Sequence, residues 1–190
     1  MLYPNNIKKG KKSFINYGNR GMDLESLINE TNEYYLKNDI ALIFKKPTPI
    51  GIAKVSYSAY GKSIDKAYFK EQSTLDYNGL YKGRYIEFDA KETLNKTSFP
   101  LSNVHQHQIE HIKNVVKHKG ICFLIIKMNE MYYILLGQAF IDFINNNKRK
   151  SIPYDYIKNN AFQIIEKYNP SLDYLKIIDE IIKEENNGKN

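Results

Sequence analysis

The chain has 190 residues, a length that suits one domain, since domains usually contain about 100–150 residues. Hydrophobic residues make up 42%, which allows a sizeable core and excludes a chain that is disordered throughout. The longest apolar run, Ile121–Ile126, is far shorter than the roughly 20 residues of a membrane span. The single cysteine, Cys122, excludes internal disulfides and cysteine-based zinc sites. We therefore expect a soluble, cytoplasmic protein with no membrane partner.

Basic charge is concentrated in two segments of this chain, whose formal net charge is +7. Residues 1–20 carry five positive charges and no acid, and residues 45–70 carry six lysines and one acid, Asp65. Such clustering, with tyrosines in the second segment, indicates a phosphate backbone as the partner. A coding bias towards Lys, Asn and Ile explains the same charge, and that alternative stays open. We predict a mobile basic arm over residues 1–21 and a single domain over residues 22–190.

The hydrophobic pattern predicts alternating helices and strands from residue 22 onwards. The predicted helices cover residues 22–37 behind an Asp23 N-cap, 102–119, 138–145, 154–162 and 172–185. The predicted strands cover residues 40–44, 73–77, 85–91, 121–127 and 131–136, with Asn78-Gly79 as a tight turn after the second. This order predicts an α/β domain with a central mixed β-sheet flanked by helices.

Residues 47–70 do not follow one simple pattern. An alternation typical of a strand begins at Ile50 and is interrupted at Ser58, Gly61 and Ser63. A segment this long, basic and rich in tyrosine is consistent with a hairpin-like projection from the core. An ordinary pair of strands with lysines on the solvent face fits the same residues.

Two acids and a lysine are brought together by two of the predicted strands. Asp76 ends the first strand, and Asp89 and Lys91 share the face of the next strand that is opposite to Ile86 and Phe88. Two neighbouring carboxylates repel in a half-buried site unless a cation neutralises them, and Mg²⁺ prefers such oxygen ligands. A nearby lysine adds the positive charge that phosphate chemistry requires. A solvent-facing strand with alternating charges is the alternative, and the D-x-K pattern alone favours it.

A glutamine lies on the apolar face of the helix predicted from Ser102. Gln108 falls between Val104 and Ile112, and a buried amide needs a polar partner. The metal site would supply one, and a core glutamine bonded to backbone is the alternative. His107 and His111 have the spacing of zinc-binding helices, but Gln108 stands where an acid belongs and no third ligand is evident. We interpret these histidines as lying at the surface or beside the metal ligands, near DNA.

Eight short segments carry a more specific signal than any single motif. They are Asn19-Arg20-Gly21-Met22, Asn29-Glu30-Thr31-Asn32, Lys45-Lys46-Pro47-Thr48-Pro49, Asp76-Tyr77-Asn78-Gly79, Tyr81-Lys82-Gly83-Arg84-Tyr85, Ala90-Lys91-Glu92-Thr93, Lys96-Thr97-Ser98-Phe99-Pro100 and His107-Gln108-Ile109-Glu110-His111. In this order they closely resemble the RecU family, the Holliday-junction resolvases of low-GC Gram-positive bacteria. The element order resembles the PD-(D/E)xK nuclease core, which implies a restriction-endonuclease-like fold with residues 47–70 as a projecting stalk.

The resemblance implies a role for individual residues. Thr74, Asp76, Asp89 and Gln108 fall on the family's magnesium-binding positions, and Lys91 falls on its transition-state stabiliser. Glu25 occupies the position of the first-helix acid of many such nucleases, and a solvated helix face is the alternative. The DNA contacts expected from the arm and the stalk are Arg20, Lys54, Lys62, Lys66, Lys70, Tyr57 and Tyr60.

The resemblance also implies an activity and partners. It implies a Mg²⁺-dependent endonuclease, with Mn²⁺ as a substitute, that cuts four-way DNA junctions in recombination and repair. It implies a homodimer that contacts the RecA recombinase and the branch-migration complex. Asp89 stands where the family usually has Glu, and the basic arm is short. A restriction-type or repair nuclease acting on linear duplex, and an inactive junction-binding protein, are the alternatives.

Overall fold

The computed structural model describes residues 23–70 and 74–187. In chain order the elements are α1 (Leu24–Lys37), β1 (Leu42–Lys45), β2 (Ile50–Ser58), β3 (Gly61–Phe69), β4 (Tyr77–Tyr81), β5 (Arg84–Glu92), β6 (Ser98–Pro100), a 3-10 turn (Leu101–Asn103), α2 (Gln106–Lys117), β7 (Ile121–Met128), β8 (Met131–Leu136), α3 (Gly137–Asn146), β9 (Ser151–Pro153), α4 (Tyr154–Asn160), β10 (Phe162–Ile164) and α5 (Tyr174–Asn187). The predicted arm over residues 1–21, and Arg20 within it, lie outside the described residues.

A six-stranded mixed sheet forms the centre of the fold. Its strand order is β1-β4-β5-β7-β8-β10. Strands β5 and β7 are parallel, and the other neighbours are antiparallel. Helices pack on both faces of this sheet, so the expected α/β architecture with a central mixed sheet is confirmed.

The two faces of the sheet contribute to two separate cores. On the first face, Phe88 of β5 stacks on Tyr77 of β4 and on Phe123 of β7, with ring centroids 4.8 Å apart in each pair. Helices α1 and α5 cover this face. On the second face, α2, α3 and α4 pack over β7 and β8, and Cys122 is buried there as expected. Since side chains alternate along β5, the residues between its apolar ones point to the second face.

The first helix is held by residues from the far end of the chain. The Asp23 N-cap is confirmed, because its carboxylate accepts a hydrogen bond from the Ser26 amide at 2.7 Å. At the other end of the described chain, the Leu172 amide donates to the Thr31 hydroxyl at 3.1 Å, across 141 positions of sequence. The Ser171 hydroxyl donates to Glu30 at 2.9 Å over the same separation. Helix α1 therefore reaches its place through contacts with the segment that leads into α5.

The turn predicted at Asn78-Gly79 is wrong. Both residues lie inside β4, and the tight turn follows at Lys82-Gly83, where φ is positive at both residues. Gly79 is needed for close approach to β1, since a Cβ there would collide with the carbonyl oxygen of Leu42. The second predicted helix also begins later than expected, at Gln106. Phe162 belongs to β10 and not to the helix before it.

Strands β2 and β3 form a separate antiparallel hairpin, which we call the stalk hairpin. They pair only with each other within the described residues, and all nine residues of β3 are exposed. At about 3.3 Å per residue, nine residues give a length of about 30 Å. The expected projection is confirmed. The alternative of an ordinary pair of strands with lysines on a solvent face is wrong, because β3 is exposed on both faces.

Among the described residues, no helix combines the length and the apolar character needed to cross a membrane.

Candidate active site

Asp76 and Asp89 lie side by side because β4 and β5 are adjacent. Tyr77 pairs with Phe88 in the antiparallel register, and continuing that register by one residue places Asp76 opposite Asp89. The two carboxyl groups are close enough to interact directly. The backbone of Asp76 is fixed from the other side, since its carbonyl oxygen accepts a hydrogen bond from the Lys46 amide at 2.7 Å. The structure therefore brings together the two acids that the sequence pattern selected.

Asp89 is the most deeply enclosed member of this site, with 0% of its surface exposed. Its Oδ2 accepts from Gln108 Nε2 at 2.6 Å and contacts Lys91 Nζ at 2.9 Å, while the Ala90 amide donates to Oδ1 at 2.8 Å. Burial raises the pKa of Asp89 to about 7; the Lys91 charge opposes this rise, and the neighbouring Asp76 carboxyl adds to it. The Asp89 carboxyl therefore holds its proton more readily than a free aspartate, because the Lys91 charge does not offset the cost of burial.

Gln108 is placed by the start of helix α2. Its Oε1 accepts a hydrogen bond from the His105 amide at 3.1 Å, as the third residue of a capping box, and its Nε2 donates to Asp89. The amide is 4% exposed, which confirms its expected burial and its need for a partner. In this arrangement the amide oxygen is committed to the helix cap. Its role as a metal ligand stays a prediction, and direct ligation would require the amide to turn.

The two remaining predicted site residues lie at the margin. Thr74 is half-buried, and its hydroxyl donates a long hydrogen bond of 3.4 Å to the Leu75 carbonyl oxygen. Glu25, in the first turn of α1, forms an exposed ion pair with Lys45. Helix α1 does meet the end of β5, since the Leu24 amide donates to Glu92 at 2.6 Å. The structure thus pairs Glu25 with a lysine, and its catalytic role stays a prediction.

The donor set fits a hard divalent cation. Within residues 23–70 and 74–187, no three His, Cys, Asp or Glu side chains gather closely enough to hold a metal alone. Asp76 and Asp89 would instead supply two carboxylates, completed by the Thr74 hydroxyl, the Gln108 amide and water, which is the mixture of oxygen ligands that Mg²⁺ accepts. The raised pKa of Asp89 indicates the same need, because a cation between the two carboxyl groups would remove their repulsion.

Glu87 is a buried acid to which the sequence pattern assigned no role. It is 0% exposed, forms an ion pair with Lys46, and accepts a hydrogen bond from the Tyr85 hydroxyl at 2.8 Å. His111 Nε2 lies 2.7 Å from Glu87 Oε2. Burial acts to raise the pKa of Glu87, but the hydrogen bonds from Lys46, His111 and Tyr85 outweigh it and lower the pKa. The one sequence feature that could have identified Glu87 is its spacing, since it lies two residues before Asp89 and shares its strand face.

The stalk hairpin presents the residues that were expected to contact DNA. Lys62 lies over the Tyr57 ring at 5.5 Å, and Lys54 forms a 3.5 Å ion pair with Asp65. Tyr57 is 75% exposed and Tyr60, at the tip, is fully exposed. The remaining two, Lys66 and Lys70, are also exposed. Their contacts with DNA stay a prediction.

Comparison with known proteins gives one family. The profile of the RecU family, described as Recombination protein U, matches residues 19–180. Proteins named Holliday junction resolvase RecU from Staphylococcus aureus strains JH9 and MRSA252 are each 46% identical over 207 aligned positions, covering 100% of both chains. The 1.6 Å structure of Archaeoglobus fulgidus Hjc, a Holliday junction resolvase, has a TM-score of 0.43 and 6% identity over 73% of this chain and 94% of its own.

The profile covers most of the chain, and the relatives align with it from end to end. The segments that suggested the resemblance include the strands and the helix that place Asp76, Asp89, Lys91 and Gln108 in one site. The chain therefore belongs to the RecU family, Recombination protein U.

Proposed function

We propose that this protein is a Mg²⁺-dependent endonuclease that cuts four-way DNA junctions during recombination and repair in the cytoplasm. Its full-length relatives at 46% identity are named Holliday junction resolvases. The observation that carries the proposal is the fully buried Asp89 carboxyl, which interacts with the half-buried Asp76 and has the Lys91 ammonium 2.9 Å away. Two acids can hold a metal ion that activates water and polarises a phosphoryl oxygen, and the lysine adds positive charge beside it.

Each side chain has a distinct part in this proposal. Asp76 and Asp89, helped by Thr74 and Gln108, hold Mg²⁺, or Mn²⁺ in its place. When bound there, the cation would supply Lewis-acid chemistry for activating water and polarising the scissile phosphate. Lys91 is 17% exposed at its side chain, so its ammonium can reach a phosphate oxygen while it stays near Asp89. It would stabilise the charge that develops in the transition state.

We further propose that the protein acts as a homodimer. An apolar patch on the second face of the sheet supports this, and its members are each between 40% and 52% exposed. They are Leu42, Phe44, Leu80 and Tyr85. Leu42 pairs with Leu80, which pairs with Tyr85, so the patch runs across three strands. Contiguous apolar surface of this kind marks interfaces, and two-fold symmetry would let two sites cut opposite strands of a symmetric junction.

The stalk hairpin would select the substrate. Its exposed lysines and tyrosines suit phosphates and the faces of bases at an open junction centre. Family membership supports two protein partners as well, the RecA recombinase and the branch-migration complex.

The decisive experiment compares a synthetic mobile four-way junction with linear duplex, with and without Mg²⁺. Cleavage of the junction alone, in the presence of Mg²⁺, is the expected result. Equal cleavage of linear duplex would favour a restriction-type or repair nuclease. Tight junction binding without cleavage at any Mg²⁺ or Mn²⁺ concentration would favour an inactive binding protein.

A further inference from the structure

Four side chains form a polar group around the buried Glu87 carboxylate, beside the candidate metal site. We call it the Glu87 cluster: Glu87, Lys46, Tyr85 and His111. Lys46 Nζ pairs with one oxygen of the Glu87 carboxylate. The other oxygen accepts from the Tyr85 hydroxyl at 2.8 Å and lies 2.7 Å from His111 Nε2. No step of the proposed cleavage uses any of these groups. A carboxylate is almost never fully buried unless it is paired, so the partners of Glu87 indicate what this group holds in place.

The cluster joins the helix that carries Gln108 to the strand that carries Asp89. Glu87 lies two residues before Asp89 on the same face of β5, and His111 lies one turn after Gln108 on α2. Two parallel contacts therefore tie the helix to the strand: Gln108 to Asp89 at 2.6 Å and His111 to Glu87 at 2.7 Å. The second contact adds a polar attachment between α2 and β5, besides the apolar packing of α2 over β7 and β8.

The cluster also reaches the segment that carries Asp76. The Lys46 amide donates to the Asp76 carbonyl oxygen at 2.7 Å, while the side chain of the same lysine pairs with Glu87. One carboxylate is thus the shared acceptor for groups that hold all three ligand-bearing segments of the chain.

We propose that Glu87 is a positioning residue for the metal site, which sets the spacing of Asp76, Asp89 and Gln108 by holding Lys46 and His111. The inference rests on the proposed metal-dependent function. Groups that support metal ligands affect metal affinity without touching the metal, and their loss typically weakens binding by about 10- to 100-fold. A buried ion pair with only a structural part would affect melting temperature and leave metal affinity unchanged.

The chain contains a matched control for that distinction. Asp179 on α5 also accepts from a lysine and a tyrosine hydroxyl, Lys82 Nζ at 2.6 Å and Tyr81 at 2.8 Å. Tyr81 ends β4, whereas Asp76 precedes it, so this group lies at the opposite end of the strand from the metal site. Asp179→Asn removes an equivalent charge where no metal ligand is held.

The test is a calorimetric titration of the full-length protein with Mn²⁺ as probe, without DNA, accompanied by thermal melting. Glu87→Gln should weaken Mn²⁺ binding by about tenfold or more, and Asp179→Asn should bind Mn²⁺ like the wild type even where its melting temperature falls. His111→Ala should weaken binding, and His111→Gln, which keeps a nitrogen donor, should restore most of it.

Wild-type Mn²⁺ affinity in both Glu87→Gln and His111→Ala would overturn the inference. If Glu87→Gln does not fold, the His111→Ala and His111→Gln pair decides, because His111 is half-buried at the edge of the cluster and its loss leaves the Lys46 ion pair in place. A wild-type protein that binds Mn²⁺ and cleaves junctions, with variants that match it, overturns the positioning role alone. A wild-type protein that does neither overturns the proposed function and the inference together.

Discussion

Glu87 and Asp89 lie two residues apart on one face of β5, both fully buried, and the pKa values of their carboxyl groups shift in opposite directions. Burial acts to raise both. For Glu87, hydrogen bonds from Lys46, His111 and Tyr85 outweigh burial and lower the pKa. For Asp89, the Asp76 carboxyl adds to the effect of burial and the Lys91 charge does not cancel the rise. The partners of Glu87 therefore stabilise its charged form, whereas the partners of Asp89 do not offset the cost of burying its charge.

Loss of either acid should abolish cleavage without abolishing DNA binding. Asp76→Asn and Asp89→Asn each remove a carboxylate from the proposed metal site, so cleavage of a four-way junction should be lost. Affinity for the junction should remain, because neither residue belongs to the stalk hairpin, whose lysines would contact the phosphates. Cleavage assays with Mg²⁺ and binding assays in EDTA measure the two effects. Near-wild-type cleavage by either variant would contradict the site.

Loss of the Lys91 side chain should lower the cleavage rate more than it lowers the metal affinity. Lys91→Ala keeps both carboxylates, so cleavage should fall by about 10²-fold or more, as it does when one preorganised transition-state contact is lost. Metal affinity should stay close to that of the wild type or rise, since a competing positive charge near Asp89 is removed. Recovery of the wild-type rate at high Mg²⁺ would show instead that Lys91 only organises the site.

Metal affinity should fall as the pH is lowered through about 7. A metal held at the proposed site would bind the ionised form of Asp89, whose pKa is raised to about 7 by burial, with the neighbouring Asp76 adding to the rise. Below that pH a proton must be displaced before the cation binds, so affinity should fall by up to about tenfold per pH unit. Titrations with Mn²⁺ between pH 6 and pH 8.5 would measure this. A pH-independent affinity would contradict the assignment.

The stalk lysines should account for part of the salt dependence of junction binding. If Lys62 and Lys66 each contact a phosphate, changing both to Gln should reduce the slope of log affinity against log salt by about 0.9 per contact. The control changes Lys37 and Lys158 to Gln, two exposed lysines on helices, each paired with a neighbouring acid. An equal effect of the two double variants would favour a general effect of charge over a defined contact.

Shortening the stalk hairpin should change substrate choice without unfolding the protein. Replacing about Val55–Asp65 with a short Gly-Ser turn removes residues that lie outside both cores and are exposed, apart from the half-buried Val55 and Ser56. The melting temperature should therefore change little. The preference for a four-way junction over linear duplex should disappear through a loss of junction affinity. Retained selectivity in the folded variant would contradict the proposed role.

The elements with strong local signals were predictable. The period-two pattern of residues 85–91 gives β5 and the shared face of Asp89 and Lys91, and the apolar spacing around Gln108 gives its burial. The turn predicted at Asn78-Gly79 was wrong, because Gly79 is required by the close approach of β1 to β4 and not by a turn. A dipeptide carries no information about a strand that pairs with it from elsewhere in the chain.

The Glu87 cluster could not be predicted from the sequence for a similar reason. Lys46 and His111 are 41 and 24 positions from Glu87, and no periodicity connects them. The hydrogen bond between Gln108 and Asp89, over 19 positions, was expected only as a need for some partner. Spacing identifies which side chains share a face, whereas the partner of each buried polar group depends on how separate elements pack.

The docking of α1 on residues near the end of the chain has a consequence for synthesis on the ribosome. Helix α1 is made before the other elements. The hydrogen bonds of Glu30 and Thr31 cannot form until Ser171 and Leu172 have been made, 141 positions later. Until then, one face of the central sheet lacks its cover, and the strands that carry Asp76 and Asp89 have no complete core behind them. A nascent chain should therefore have no organised nuclease site, and cutting activity should begin only after Ser171 and Leu172 have been made and have docked on α1.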